Sequence, residues 1–129
     1  MPTLITDLLN LLQKHQLVKH VRVLHYDETP SGKVELKIRC RLLDNYQFQI
    51  WLHYELVFQD YAYQLFTDQP ILRWDNAPHY PAIATAPHHF HDEHGQVKES
   101  VLSGQPLRDL PQVLSTIEIW LTSKKEINA

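Results

Sequence analysis

From residue 33 to residue 43 nearly every second side chain is apolar. Val34, Leu36, Ile38, Cys40 and Leu42 alternate with Glu35, Lys37, Arg39 and Arg41. That is the period of a half-buried antiparallel strand. The run 46–58 repeats it. Tyr46, Phe48, Ile50, Leu52, Tyr54, Leu56 and Phe58 form the apolar set, and Gln47, Gln49, Trp51, His53 and Glu55 the opposite one. Residues 18–27 are rich in β-branched side chains, with Val21, Val23 and His25 alternating with Arg22, Leu24 and Tyr26. Residues 61–66 predict a fourth strand and 71–75 a fifth. Asp-Glu-Thr-Pro-Ser-Gly, Asp44-Asn45 and Thr-Asp-Gln-Pro are turn compositions between these runs. Four or five hairpin-linked strands make an antiparallel meander, with one face for the core and one partly open.

The period changes at both ends of the chain. Leu4, Ile5, Leu8, Leu9, Leu11 and Leu12 lie on one side of a helical wheel. With Thr3 as N-cap, they predict a helix over 3–15. Leu110, Val113, Leu114, Ile117 and Leu121 have the same spacing. Asp109 is a candidate N-cap there, and Pro111 falls in the first turn. Residues 96–101 predict a short edge strand, and Ser103-Gly104-Gln105-Pro106 a linker. The tail from 123 to 129 reads as frayed. The order is helix, meander, loop, helix: an α+β fold in one domain spanning 1–129.

The chemistry gathers in residues 71–94. His79, His88, His89, His91 and His94 are five of the chain's 9 histidines, and Pro78, Pro81 and Pro87 lie among them. Proline fixes φ and biases the preceding residue to an extended conformation. The segment is therefore expected to be a stiff loop, neither a helix nor a central strand. Wherever it is extended, His89 and His91 point one way and His88 the other.

One reading is acid–base work on RNA. Attack by a 2′-hydroxyl on its phosphodiester needs a base, an acid and cationic stabilisation. His88, His89 and His91 are the candidates for proton transfer, with His79 and Arg73 in support. In a simple meander Lys37, Arg39 and Arg41 share a face with Gln47, Gln49 and Trp51, which suits a single-stranded nucleic acid. A metal reading would join His89 and His91 with His79 or His94, and Asp92 and Glu93 could add oxygen ligands. The spacing matches no zinc signature, so no metal and no cofactor is assigned. Bland alternatives stand beside both: a solvated cationic face, a Trp51 covered by a helix, and histidines that merely bond the backbone. Asp75 and Asn76 end a strand. They can satisfy turn amides or orient a histidine.

The formal net charge of -3 argues against a general polyanion binder and leaves room for a local basic patch. Cys40 is the sole cysteine, so no internal disulfide forms; on the apolar face it is an inert core residue. Only 3 glycines are present, and no glycine-rich phosphate loop. No run is long and apolar enough to span a membrane, and the first residues do not form a signal peptide. A cytoplasmic protein is expected.

The run Leu72-Arg73-Trp74-Asp75-Asn76-Ala77-Pro78-His79-Tyr80-Pro81, followed by Thr85-Ala86-Pro87-His88-His89-Phe90-His91, resembles the TumE family. Members typically carry Arg-Tyr-Asp-Asn-Ala-Pro-His-His-Pro and then Phe-Pro-His-His-Lys-His. Leu110-Pro111-Gln112-Val113-Leu114 and the tyrosine-rich Tyr61-Ala62-Tyr63-Gln64 are similar to family features too. The likeness is tight from Tyr61 to His91 and loose before it. Trp74, Tyr80 and Phe90 depart from the pattern. Phe90 stands for a common lysine and is expected to remove a cation beside the site. The resemblance implies a toxin of a type II toxin–antitoxin module, neutralised by a cognate antitoxin. Action on RNA or the ribosome follows only by analogy with other toxin families. The rival readings are a non-catalytic protein-interaction module and a metal-dependent hydrolase using the same histidines.

Overall fold

The computed structural model describes residues 3–55 and 59–128. The expected core positions Leu56 and Phe58 lie outside the described residues. Among the described residues, α1 (Leu4–Lys14) leads into β1 (Val18–Glu28), β2 (Val34–Leu42), β3 (Gln47–Tyr54), β4 (Gln59–Phe66), β5 (Pro70–Asp75), β6 (His89–His91) and β7 (Val97–Glu99), and α2 (Pro106–Asn128) follows. The seven strands form one antiparallel sheet whose spatial order is the sequence order. The α+β expectation holds, with more strands than the pattern alone revealed.

Local chemistry explains the main joints. The Thr3 side chain accepts from the Thr6 amide and caps α1. Asp44 and Asn45 turn β2 into β3 with φ of 60° and 65°, a region these two residue types tolerate best after glycine. Alternation then sorts the sheet. Ile38, Ile50, Tyr63, Trp74 and Phe90 stand opposite one another across β2 to β6. With Leu36, Leu52, Tyr61, Phe48 and Leu65 they meet Leu8 and Leu12 of α1 and Leu110, Val113, Ile117 and Leu121 of α2 in one core. Both helices thus cover the same face. The opposite face carries the polar set.

Five expectations are corrected. Residues 89–91 are a strand inside the sheet, paired with β5 on one side and β7 on the other, because β5 leaves an open edge that three extended residues can fill. Helix α2 starts at Pro106, so Asp109 is not its N-cap, and Pro111 sits in the second turn, where it forfeits one intrahelical bond. The same helix continues through 123–128 rather than fraying there. A register shift between Val23 and His25 puts His25 opposite Lys37, on the other face from Val21 and Val23. The short strand over 96–101 is found at the sheet edge as β7. Among the described residues no helix is long and apolar enough to cross a membrane.

Asp109 is fully buried. Its Oδ1 accepts from the Ser103 amide and hydroxyl, both at 2.9 Å, and its Oδ2 from the Gly104 amide at 2.8 Å. Asp109→Ala strands these donors, and urea unfolding should show a loss of about 2–3 kcal/mol. Burial pushes the Cys40 thiol up to about 12. Iodoacetamide at neutral pH should therefore label it only in denaturant; rapid labelling of the folded protein would contradict the packing.

Candidate active site

The polar face is built by the same registers. Asp75 ends β5 and stands opposite His89, and Arg73 stands opposite His91. All four side chains share this face because each pair is directly cross-strand and the two pairs lie two residues apart.

Asp75 is the centre. It is only 5% exposed, and His89 beside it is 1% exposed. A carboxylate withdrawn from water needs charged or hydrogen-bonding partners on both oxygens. Oδ1 accepts from the Ala77 amide at 3.0 Å and lies 3.0 Å from His89 Nε2. Oδ2 accepts from Arg73 Nε at 2.8 Å and lies 3.6 Å from His91 Nε2. Asp75 thus holds a turn amide and also lies against two imidazoles. The other nitrogen of His89, Nδ1, donates to the Pro87 carbonyl at 3.0 Å. This ring is fixed at both ends. Tyr80 packs on it, with ring centroids 4.8 Å apart, and lies edge-on to His91 at 5.8 Å.

Arg73 is held from a second side, because its Nη1 donates to Gln64 Oε1 at 2.8 Å. Asn76 ties the end of β5 to β4. Its Oδ1 accepts from the Tyr61 amide and its Nδ2 donates to the Gln59 carbonyl. Against this cluster opens a cleft of about 280 Å³ lined by Trp51, Tyr61, Arg73, Asp75, Asn76 and Pro78.

His91 is the member with a resolved shift. Burial lowers its pKa from the ordinary 6.5; His89 and Arg73 act the same way, and Asp75 offsets them in part. The lowered pKa favours the neutral form of the His91 ring.

The remaining sequence candidates separate cleanly. His88 turns to the helix side of the sheet, where a 2.7 Å hydrogen bond joins its Nδ1 to the Tyr61 hydroxyl and the two rings stack. It is not brought into the cluster. His79 stays exposed on the 76–88 loop, also outside it. Asp92 closes the β6–β7 turn through the His94 and Gln96 amides and pairs with Lys98; those bonds hold its carboxyl down to about 2. Glu93 pairs with Lys124. Neither supplies the cluster with oxygens. Phe90 packs against Trp74 in the core, so a residue at this position faces away from His89 and His91, and the expected loss of a cation beside the site does not follow. Lys37, Arg39, Arg41 and Trp51 lie on the same face as the cluster, as the alternation indicated. Sequence reasoning missed Gln64, Tyr80 and the Pro87 carbonyl. Only the register could have found Gln64, since it stands directly opposite Arg73.

The ligand atoms of Asp75, His89 and His91 fall within 4.8 Å of one another, a spacing that a divalent ion could bridge. The Arg73 guanidinium on Oδ2 and the amide on Oδ1 compete for that role. A fixed positive charge beside the position also repels a second cation. The set is better suited to moving protons and stabilising an anion.

These features define a small α+β protein whose open sheet face carries a histidine–carboxylate–arginine centre. A family model described as Toxin TumE matches residues 8–121, most of the chain, and the chain belongs to this toxin family. No curated protein and no solved structure matches it.

The sign of the His91 shift is directly measurable. A pKa below the unfolded 6.5 leaves folding unpenalised above that pH and penalised as pH falls through the folded value. An NMR titration of the His91 ring should have its midpoint below 6.5, and a midpoint above it would contradict the burial argument.

Proposed function

We propose that the chain is the toxin of a type II toxin–antitoxin module, acting in the cytoplasm on RNA and silenced by a cognate antitoxin protein. Membership of the toxin family supports the first part. The observation that carries the second is the meeting of Arg73 and Asp75 on the wall of a cleft that Trp51 also lines, with His89 and His91 lying against the same Asp75.

In this reading a nucleobase enters the cleft and stacks on Trp51. The 2′-oxygen attacks the adjacent phosphorus, and its proton passes to His91. The bond from phosphorus to the 5′-oxygen breaks, and that oxygen takes a proton from solvent. The products are a 2′,3′-cyclic phosphate and a 5′-hydroxyl. Arg73 faces the charge that builds on the phosphoryl oxygens. Asp75 and His89 are positioning residues: they fix Arg73 and the wall against which His91 stands. Lys37, Arg39 and Arg41 attract the polyanion to this face.

Tightly controlled induction in a bacterium tests the proposal, comparing wild type with His91→Ala at equal soluble expression. A single substitution at His91 is preferable to one that includes His88, whose ring is bonded to Tyr61 on the core side. Growth arrest by wild type alone is the expected outcome, with at least a hundredfold loss of RNA cleavage in the variant, on the order of one proton-transfer contribution. Arrest by both proteins would move the action to a binding surface and contradict catalysis by His91.

A further inference from the structure

One line of residues crosses the whole polar face. Arg22 stands opposite Arg39, Arg39 opposite Gln49, Gln49 opposite Gln64, Gln64 opposite Arg73, and Arg73 opposite His91. Six consecutive strands thus each contribute one donor-bearing side chain to a single row. At about 4.8 Å per strand the row is about 24 Å long, and it ends on the candidate base.

The chemistry within the row is directional. Arg39 donates through Nε and Nη2 to Gln49 Oε1, at 3.1 and 2.7 Å. Arg73 donates to Gln64 Oε1. With both amide oxygens occupied by guanidinium groups, the two amide nitrogens remain as donors. The row therefore offers donors and almost no acceptors.

Its far end is strongly cationic. His20 and Arg41 stand opposite each other beside the Arg22–Arg39 pair, and with Asn45 and Gln47 they line a cleft of about 440 Å³. Like charges directly opposite one another destabilise a sheet. Among the described residues the ion pairs of lysine and arginine involve Lys33, Arg73, Lys98, Lys124 and Lys125, and none involves Arg22, Arg39 or Arg41. In a chain with a net charge of -3, this unneutralised concentration of positive charge is a local feature with an anion as its natural complement.

We propose that the row is a track for the sugar–phosphate backbone of a single-stranded polynucleotide, lying across the strands from the Arg22–Arg39 cleft to the scissile phosphate at Arg73 and His91. This deepens the RNA reading and rests on it. It adds Arg22 and His20, some four to five strands away from the site, as phosphate-binding residues. Bases would lie toward the neighbouring row, where Lys37 stands opposite Trp51 and Ala62 opposite Asp75. A single strand is favoured over a duplex because an open sheet face with an aromatic beside a cationic row suits splayed bases.

The test is fluorescence anisotropy with a labelled 2′-O-methyl decauridylate, which binds but cannot undergo 2′-attack, titrated across a salt series. Wild type, Arg22→Gln, Arg39→Gln and the control Lys98→Gln on the edge strand would be compared. Arg22→Gln and Arg39→Gln should each weaken binding on the order of tenfold and reduce the salt slope by about 0.7, with Lys98→Gln unchanged. Cleavage of a dinucleotide, too short to reach the far cleft, should be unaffected by Arg22→Gln. Binding by wild type with unchanged affinity and slope in both arginine variants would overturn the track while leaving the proposed chemistry intact. Displacement of the probe by polyglutamate at equal charge concentration would also overturn it, by assigning the cleft to an acidic protein partner. A wild type that binds no probe at low salt, and cleaves no dinucleotide, would overturn the track and the RNA reading together.

Discussion

A buried carboxylate that must be satisfied on both oxygens governs this molecule. Asp75 has an amide, a guanidinium and two imidazoles around it, and three of these groups come from two neighbouring strands. The Asp75–His89 register is therefore an electrostatic requirement as well as a consequence of pleating. Slipping β6 by one residue would put Phe90 and His88 on the polar face, bury His89 and His91 in the core, and leave Asp75 without its imidazole partners. The helix-facing side of the same segment fits this arrangement, because Phe90 closes on Trp74 and His88 bonds Tyr61. Core packing and site geometry thus select one register.

The division of the sheet into two faces follows from where the helices sit. Helices α1 and α2 both pack on the side carrying Ile38, Ile50, Tyr63 and Trp74. The other face is left to arginines, glutamines and histidines that hold one another in place. Arg39 is fixed by Gln49, and Arg73 by Gln64 and Asp75, so neither guanidinium must be ordered anew when an anion arrives. The loop from 76 to 88 adds Tyr80 over the imidazoles and Pro78 at the mouth of the cleft.

Much of this was legible in the chain and some was not, for physical reasons. The alternation of 33–43 is clean because one side of β2 faces the core and the other faces water, and its turn was legible because Asp-Asn tolerates positive φ. That His89 and His91 share a side follows from any extended backbone. Strand β6 was hidden because a strand of three residues is too short to display a period, and its pairing depends on β5. The role of Asp109 was hidden for a related reason. Its partners are two amides upstream of the helix, and nothing in the local sequence separates that use from an N-cap. Nothing near Gln64 in the sequence marks its role, because its partner Arg73 comes from β5. Single-residue chemistry was therefore readable, whereas which residues meet depended on register.

The central claim is that His91 moves a proton on a face arranged around Asp75 to cleave RNA without a metal. The most direct measurement is the chemistry of the ends made when purified protein meets single-stranded RNA in the presence of a chelator. The expected products carry 2′,3′-cyclic phosphate and 5′-hydroxyl ends and are missing with His91→Ala. Ends bearing 5′-phosphate, or intact RNA with the wild-type protein, would contradict it.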